Sequence, residues 1–281
     1  MNKVWLVTGV STGIGRALST AALARGDSVV GTLRKAEQLA EFEALAPGRA
    51  IGFLLDVTDR ARIAEEIPTL IERLGHLDVL VNNAGYGVNG ALEELSDEDI
   101  DRCMATNYGG TIAMIRAVLP HMRARRKGDI INLSSIGGLI GYPGLSAYCA
   151  PKFAVAGMSE ALSSELAPLG IRVMVVEPGP FRTEFSLGSL VRAARTIEDY
   201  ENTPAGMSRR MMGSSGGHGG TEVGDPVRLA RIIVDMLDGD TLPVHFVAGA
   251  PAIASRRAAL NQTSNELDKW EKLGAQADFP S

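Results

Sequence analysis

Seven short runs of apolar, mostly β-branched residues punctuate this chain at regular intervals: 4–7, 28–33, 51–55, 79–81, 130–133, 173–176 and 244–247. Most are apolar throughout rather than alternating with polar residues. A strand apolar on both sides needs cover on both faces, which is the condition of a parallel sheet sandwiched between helices. Helix-patterned segments supply that cover, starting near Gly13, Lys35, Asp59, Asp97, Tyr148 and Pro226. Several carry start signals: Thr58 before Asp59, Ser96 with Asp99 three residues later, and Pro226 in a first turn. Strand–helix alternation joined by right-handed crossovers gives an α/β fold, a doubly wound parallel sheet of about seven strands with helices on both faces. Ligands of such sheets bind at the carboxyl ends of the strands.

The 281 residues suit one domain, 1–281, better than two small ones. A net charge of −5 offers no nucleic-acid surface. The basic cluster Arg123-Ala-Arg-Arg-Lys127 precedes Gly128, where a helix C-terminus favours cations and a glycine cap. Cys103 and Cys149 fit no disulfide or zinc pattern, and His76, His121, His218 and His245 show no metal spacing. No apolar stretch approaches the ~20 residues of a membrane span. A cytoplasmic, reduced protein is expected, with no metal and no membrane partner. Two segments break the rhythm. Residues 183–223 form a long Gly- and Met-bearing stretch, expected to be a mobile substrate lid. Residues 250–273 read as a helical tail of no evident role.

Chemistry concentrates at strand ends. Thr8-Gly-Val-Ser-Thr-Gly-Ile-Gly15 follows the first strand directly and opens a helix. Glycines there permit a tight turn and let the backbone approach a pyrophosphate at the helix N-terminus. The same residues satisfy G-x-S-x-G through Ser11, and a hydrolase using Ser11 and His218 is an alternative. Only one strand precedes Ser11, however, so the earlier loop that supplies an oxyanion donor is missing. Further on, Tyr148-Cys-Ala-Pro-Lys152 puts a phenol and an ammonium one helical turn apart. A nearby cation favours the phenolate, which makes a tyrosine usable as an acid/base near neutral pH. The second strand ends Gly31-Thr-Leu-Arg34-Lys35, with Leu33 where a carboxylate would accept from a ribose 2′-hydroxyl. An Arg fork suits a 2′-phosphate instead, so NADP(H) is the expected cofactor.

The glycine turn, Asp56, Asn82-Asn-Ala-Gly85, Asn107, Ser135, Tyr148 with Lys152, and Pro178-Gly179 follow one another in an order that resembles the classical short-chain dehydrogenase/reductase family, from about residue 3 to residue 183. The resemblance implies a Rossmann-type fold and a catalytic set. Tyr148 would be the general acid/base, and Ser135 would hydrogen-bond the substrate oxygen. Lys152 would bind the nicotinamide ribose and depress the Tyr148 pKa, and Asn107 would hold a helix kink and a water for proton relay. It carries the cofactor site onto Gly9, Ser11, Thr12, Gly13, Ile14, Gly15, Arg34, Asp56, Val57, Asn83, Ala84, Gly85, Pro178, Gly179 and Thr183, besides Tyr148 and Lys152. It implies hydride exchange between NADP(H) and a carbonyl or alcohol substrate. Residues around 136–138, 143–145 and 180–181 would line the pocket; they are mostly apolar or small, which favours a neutral or hydrophobic carbonyl. A homodimer or homotetramer is expected, built on helices at about 97–126 and 148–169, the second carrying Ala150, Ala154, Ala156, Gly157 and Ala161. A non-catalytic NADP(H)-sensing regulator on the same fold is the alternative from another class.

Overall fold

The computed structural model describes residues 2–184, 189–213 and 221–279. The main sheet is parallel, built from β1 (Val4–Val7), β2 (Ser28–Leu33), β3 (Ala50–Leu54), β4 (Val79–Asn82), β6 (Gly128–Leu133), β7 (Ile171–Pro178) and β9 (His245–Ala248). They lie in the order β3-β2-β1-β4-β6-β7-β9. Strand order reverses between β1 and β4, so a crevice opens at their carboxyl ends.

The central apolar runs serve two cores. Trp5 and Val7 of β1 join Val29, Val81 and Ile131 under α1 (Gly13–Ala24) and α8 (Pro226–Met236). Val4 and Leu6 join Val30, Leu80 and Ile130 under α3 (Arg60–Leu74) and α5 (Gly110–Arg125), with α6 (Ser146–Leu166) completing that layer. Successive side chains point to opposite faces, which is why the runs are apolar without alternation.

Several boundaries differ from expectation. The cap of α3 is Asp59, whose carboxylate accepts from Arg62 N at 3.0 Å, because Thr58 is turned back onto Asp56. The long helix expected over 97–126 is two: α4 (Asp97–Met104), capped by Ser96, and α5, joined by a π turn at Ala105–Gly109. The left-handed residue closing α5 is Arg126 (φ 54°) rather than a glycine. Gly128 already belongs to β6, and a Cβ there would lie 2.5 Å from Met122 Sδ. The fourth long helix begins at Ser146, two residues before Tyr148.

The expected lid is more regular than its sequence. Residues 204–213 form α7 (Pro204–Gly213), and β8 (Leu190–Arg192) pairs with β5 (Gly87–Asn89) in a separate two-stranded sheet. Arg209 of α7 pairs with the fully buried Glu94, which also accepts from Ala91 N and Ile197 N. That buried ion pair, not an apolar period, ties the helix down. Met207 and Met211 are exposed, so they do not form its underside. Residues 185–188 and 214–220, His218 included, lie outside the described residues. The helical tail is α9 (Ala250–Gly274). Among the described residues no helix is long and apolar enough to cross a membrane, and no cluster of three potential metal ligands occurs.

Candidate active site

The glycine turn leaves β1 through two left-handed glycines, Gly9 (φ 71°) and Gly13 (φ 62°). Thr12 caps α1 with no side-chain bond, and the first turn holds no acidic residue. Its amides are therefore left for an acceptor from outside, the requirement of an anion site. Gly15 is sterically obligatory: a Cβ would lie 2.3 Å from Asn83 Nδ2 and 2.4 Å from Gly9 O. These observations fit a dinucleotide pyrophosphate.

A second turn braces the first. Thr8 Oγ1 accepts from Asn83 N (2.9 Å) and Ala84 N (3.0 Å), while Asn83 Nδ2 donates to Thr8 O and Gly9 O, both at 2.9 Å. Gly9 N donates to Thr32 Oγ1 at 3.1 Å, joining the end of β2 to the same junction. Thr183 reaches the turn from beyond β7, 3.5 Å from where a Cβ on Gly13 would stand. Gly179 packs under Ala252 of α9, and its amide donates to Ala248 O. Ser11 and Thr12 are exposed and Ile14 half-buried. At the ends of β2 and β3, Arg34 is exposed and makes no ion pair among the described residues. Asp56 Oδ1 is occupied by Thr58 N and Oγ1, at 2.9 and 2.7 Å, and Val57 is buried against Gly110.

Asn107 and Lys152 meet beside Gly85, and Ser135 joins Tyr148 one helical turn from Lys152. A Cβ on Gly85 would stand 2.3 Å from Asn107 Oδ1 and 3.5 Å from Lys152 Nζ. Asn107 sits in the π turn, with Nδ2 donating to Tyr86 O and Cys103 O, both at 3.0 Å. Its Oδ1 is buried without a partner, an acceptor aimed at the site. Ser135 Oγ accepts from Gly137 N at 3.1 Å, and Ser135 hydrogen-bonds Tyr148. Lys152 Nζ donates to Leu133 O at 2.8 Å and lies 5.9 Å from the centre of the Tyr148 ring.

Burial governs the electrostatics. Tyr148 is 8 % and Lys152 5 % exposed. Burial pushes the Tyr148 phenol well above its ordinary value, opposed by the Ser135 hydrogen bond. The sequence argument expected the opposite direction, from the Lys152 charge. Desolvation is the largest influence on the phenol and exceeds the Ser135 hydrogen bond, and it also lowers the Lys152 ammonium to about 8. The site thus holds a protonated phenol beside an ammonium with a weakened hold on its proton, an arrangement able to donate a proton to an oxygen bound between Ser135 and Tyr148.

The bracing residues Thr8 and Thr32 stand inside the quoted turn and strand-end motifs, but neither drew a role from sequence. Nor was the buried chain Asn82–Asn132–Ser159, with contacts of 2.8 and 2.9 Å, which links β4 and β6 to α6 two turns beyond Lys152. Asn82 was visible as part of its motif; Asn132 and Ser159 carry no local signal.

The short chain dehydrogenase family model matches residues 3–189. The chain belongs to the short-chain dehydrogenase family. This short-chain dehydrogenase is 36 % identical to oxidoreductase BOA17 of Botryotinia fuckeliana over 274 residues, 97 % of this chain and 98 % of that one. A short-chain dehydrogenase structure from Streptomyces avermitilis superposes with a TM-score of 0.91 at 39 % identity, covering 99 % of this chain and 98 % of that one. ElxO with NADP bound matches at 29 % identity and a TM-score of 0.73, covering 90 % and 100 %. Neighbours of this fold include NAD-bound as well as NADP-bound forms. The protein is accordingly an oxidoreductase of a family that acts on CH–OH and C=O groups.

Proposed function

We propose that this protein is an NADP(H)-dependent carbonyl reductase/alcohol dehydrogenase for a neutral or hydrophobic ketone or aldehyde. The observation that carries the reading is the meeting of Asn107 Oδ1 and Lys152 Nζ beside Gly85, with the hydrogen-bonded Ser135 and Tyr148 one helical turn from Lys152, next to a turn built for a pyrophosphate.

When bound, the cofactor supplies or accepts hydride at the nicotinamide. Ser135 orients the substrate oxygen toward the Tyr148 hydroxyl. Tyr148 keeps its proton in the buried site and delivers it to that oxygen as charge develops there. Lys152, held at Leu133 O, stabilises the phenolate left behind. Asn107 Oδ1 accepts from a water that resupplies the proton. In the oxidative direction Tyr148 takes the proton from the alcohol. We assign the cofactor's 2′-phosphate to Arg34, which has no carboxylate partner among the described residues; NADP bound to the ElxO neighbour supports that reading.

We assign Ile136 to an apolar wall of the substrate pocket, with α7 lying against Gly144 at its entrance, whereas Phe181 packs against Gly224 and Gly249 beside the core under α8 and does not line it. Subunit pairing is proposed through the exposed face of α6, where Phe153 stands among Ala150, Gly157 and Ala161. Ala156 faces inward and takes no part in that surface.

Tyr148→Phe tests the reading. Turnover on reactive ketones should fall ~10²–10⁴-fold, while NADPH affinity by fluorescence titration stays within about twofold. Undiminished activity would remove the catalytic assignment. NADPH binding by the wild type without turnover on any ketone or alcohol of a broad panel would return the sensor alternative.

A further inference from the structure

Helix α9 leaves the body of the domain. Its first turns are anchored: Ala252 is buried against Gly179, and Arg256 donates to Leu139 O at 3.3 Å. From 257 to 273 every residue but Ala259 is exposed. Among the described residues, that leaves about 25 Å of helix with no packing partner. Helices in proteins owe most of their stability to a packed face, and this one has no local partner for it.

The exposed part nevertheless carries an apolar pattern. Ile253, Leu260 and Leu267 recur every seven residues, exposed by 42, 50 and 67 %, and Trp270 extends the stripe. Residues seven apart share one helix face, with a drift that a two-helix supercoil absorbs. Arg257, Ser264 and Glu271 alternate with them at steps of four and three, completing a seam. The charges along the helix are polar in the same sense. Arg256 and Arg257 fall in the first half, with no carboxylate before Glu266; Glu266, Asp268 and Glu271 fall in the second, beside Lys269 and Lys272.

We propose that α9 docks antiparallel on α9 of a second copy of this chain, along the seam of Ile253, Arg257, Leu260, Ser264, Leu267 and Glu271. A two-fold axis near the middle of the helix makes the contact isologous. It stacks the leucines of one copy on those of the other and sets Arg257 beside the partner's acidic half. Parallel pairing would place Arg257 against Arg257 and Glu271 against Glu271, which disfavours it. A lipid surface fits less well, because Arg257 and Glu271 lie in the stripe itself. The strip from Ile253 to Glu271 is about 27 Å long and about 10 Å wide. This is well under the ~800 Å² per partner of a standard interface, so the seam supplements a larger contact in a closed assembly.

The test uses the full chain with its two native cysteines buried. Ser264→Cys should cross-link between copies under mild oxidation, since the mid-helix positions lie near the axis. Leu260→Glu with Leu267→Glu should halve the assembly mass in sedimentation or light scattering, with unchanged circular dichroism apart from α9. Arg257→Glu should weaken self-association at least ~tenfold, and adding Glu271→Arg should restore it. An assembly mass unaffected by the double leucine variant, or a monomeric wild type, overturns the proposal. So does capture of the wild type by phosphatidylcholine/phosphatidylglycerol vesicles that is lost in the leucine variant while the assembly mass stays the same. None of these outcomes depends on turnover or on cofactor binding.

Discussion

Replacing Lys152 by Met should stabilise the cofactor-free protein at pH 7 and destabilise it at high pH. The ammonium is 5 % exposed, and burial lowers its pKa from 10.5 to about 8. At ~1.4 kcal/mol per unit, holding the charge inside costs the native state about 3 kcal/mol below pH 8. Met keeps most of the stem in place. It forfeits the Nζ bond to Leu133 O, leaving a buried carbonyl unpaired at a cost of about 1–3 kcal/mol. The net gain at pH 7 is therefore about 1 kcal/mol. The pH dependence is the sharper signature. With a depressed native pKa, the unfolded chain binds more protons between pH 8 and 10.5, so the wild type gains stability as pH rises through that window. The variant has no such group. Its advantage should shrink by about 3 kcal/mol from pH 7 to pH 10.5 and reverse. Urea unfolding followed by fluorescence of the buried Trp5, at four or five pH values, measures the difference directly. A stability gap that does not change with pH would refute the reasoning, whatever its size.

Two other perturbations follow from the geometry. NADPH should bind wild type at least ~tenfold tighter than NADH, or ~1.4 kcal/mol, with Arg34→Ala erasing most of the gap in fluorescence titrations; tighter NADH binding by the wild type would show the phosphate argument wrong. Arg209→Ala strands the buried Glu94 carboxylate, a loss of order ~3–5 kcal/mol for a fully buried pair, and amide exchange across 204–213 should accelerate strongly while β1 and β4 keep their protection. If that exchange is already fast in the wild type, α7 is a mobile lid rather than the tethered helix described above.

The strands were legible in sequence because two-sided burial leaves continuous apolar runs, and seven of the nine were anticipated within a few residues. The exceptions, β5 and β8, are three-residue segments whose described ladder pairs them with each other alone. The π turn escaped notice because Ala105–Gly109 keeps helical spacing on both sides; one extra residue per turn leaves no compositional trace. Helix α7 escaped because its restraint is an ion pair across more than a hundred residues, not an apolar stripe. Arg126 ends a helix in a conformation usually left to glycine, where a propensity rule fails without warning. In the site, spacing put Tyr148 and Lys152 on one helix face, while Ser135 and Asn107 were joined to them only by the family resemblance. The direction of the Tyr148 shift could not be read, since it depends on how many atoms from other elements close over the hydroxyl.

The brace between Thr8 and Asn83 has a consequence for biosynthesis. The cofactor turn is encoded within the first fifteen residues, yet its two carbonyls and the Thr8 hydroxyl find their partners only 74 to 76 residues later. At ~5–20 residues per second, a ribosome needs several seconds to deliver them. Until β4 slots in beside β1, Gly9 and Gly13 are a loose hinge on a nascent helix, and a dinucleotide meets no fixed cradle. Affinity for the cofactor should therefore appear late and abruptly on a growing chain, as a sign that the centre of the sheet has closed.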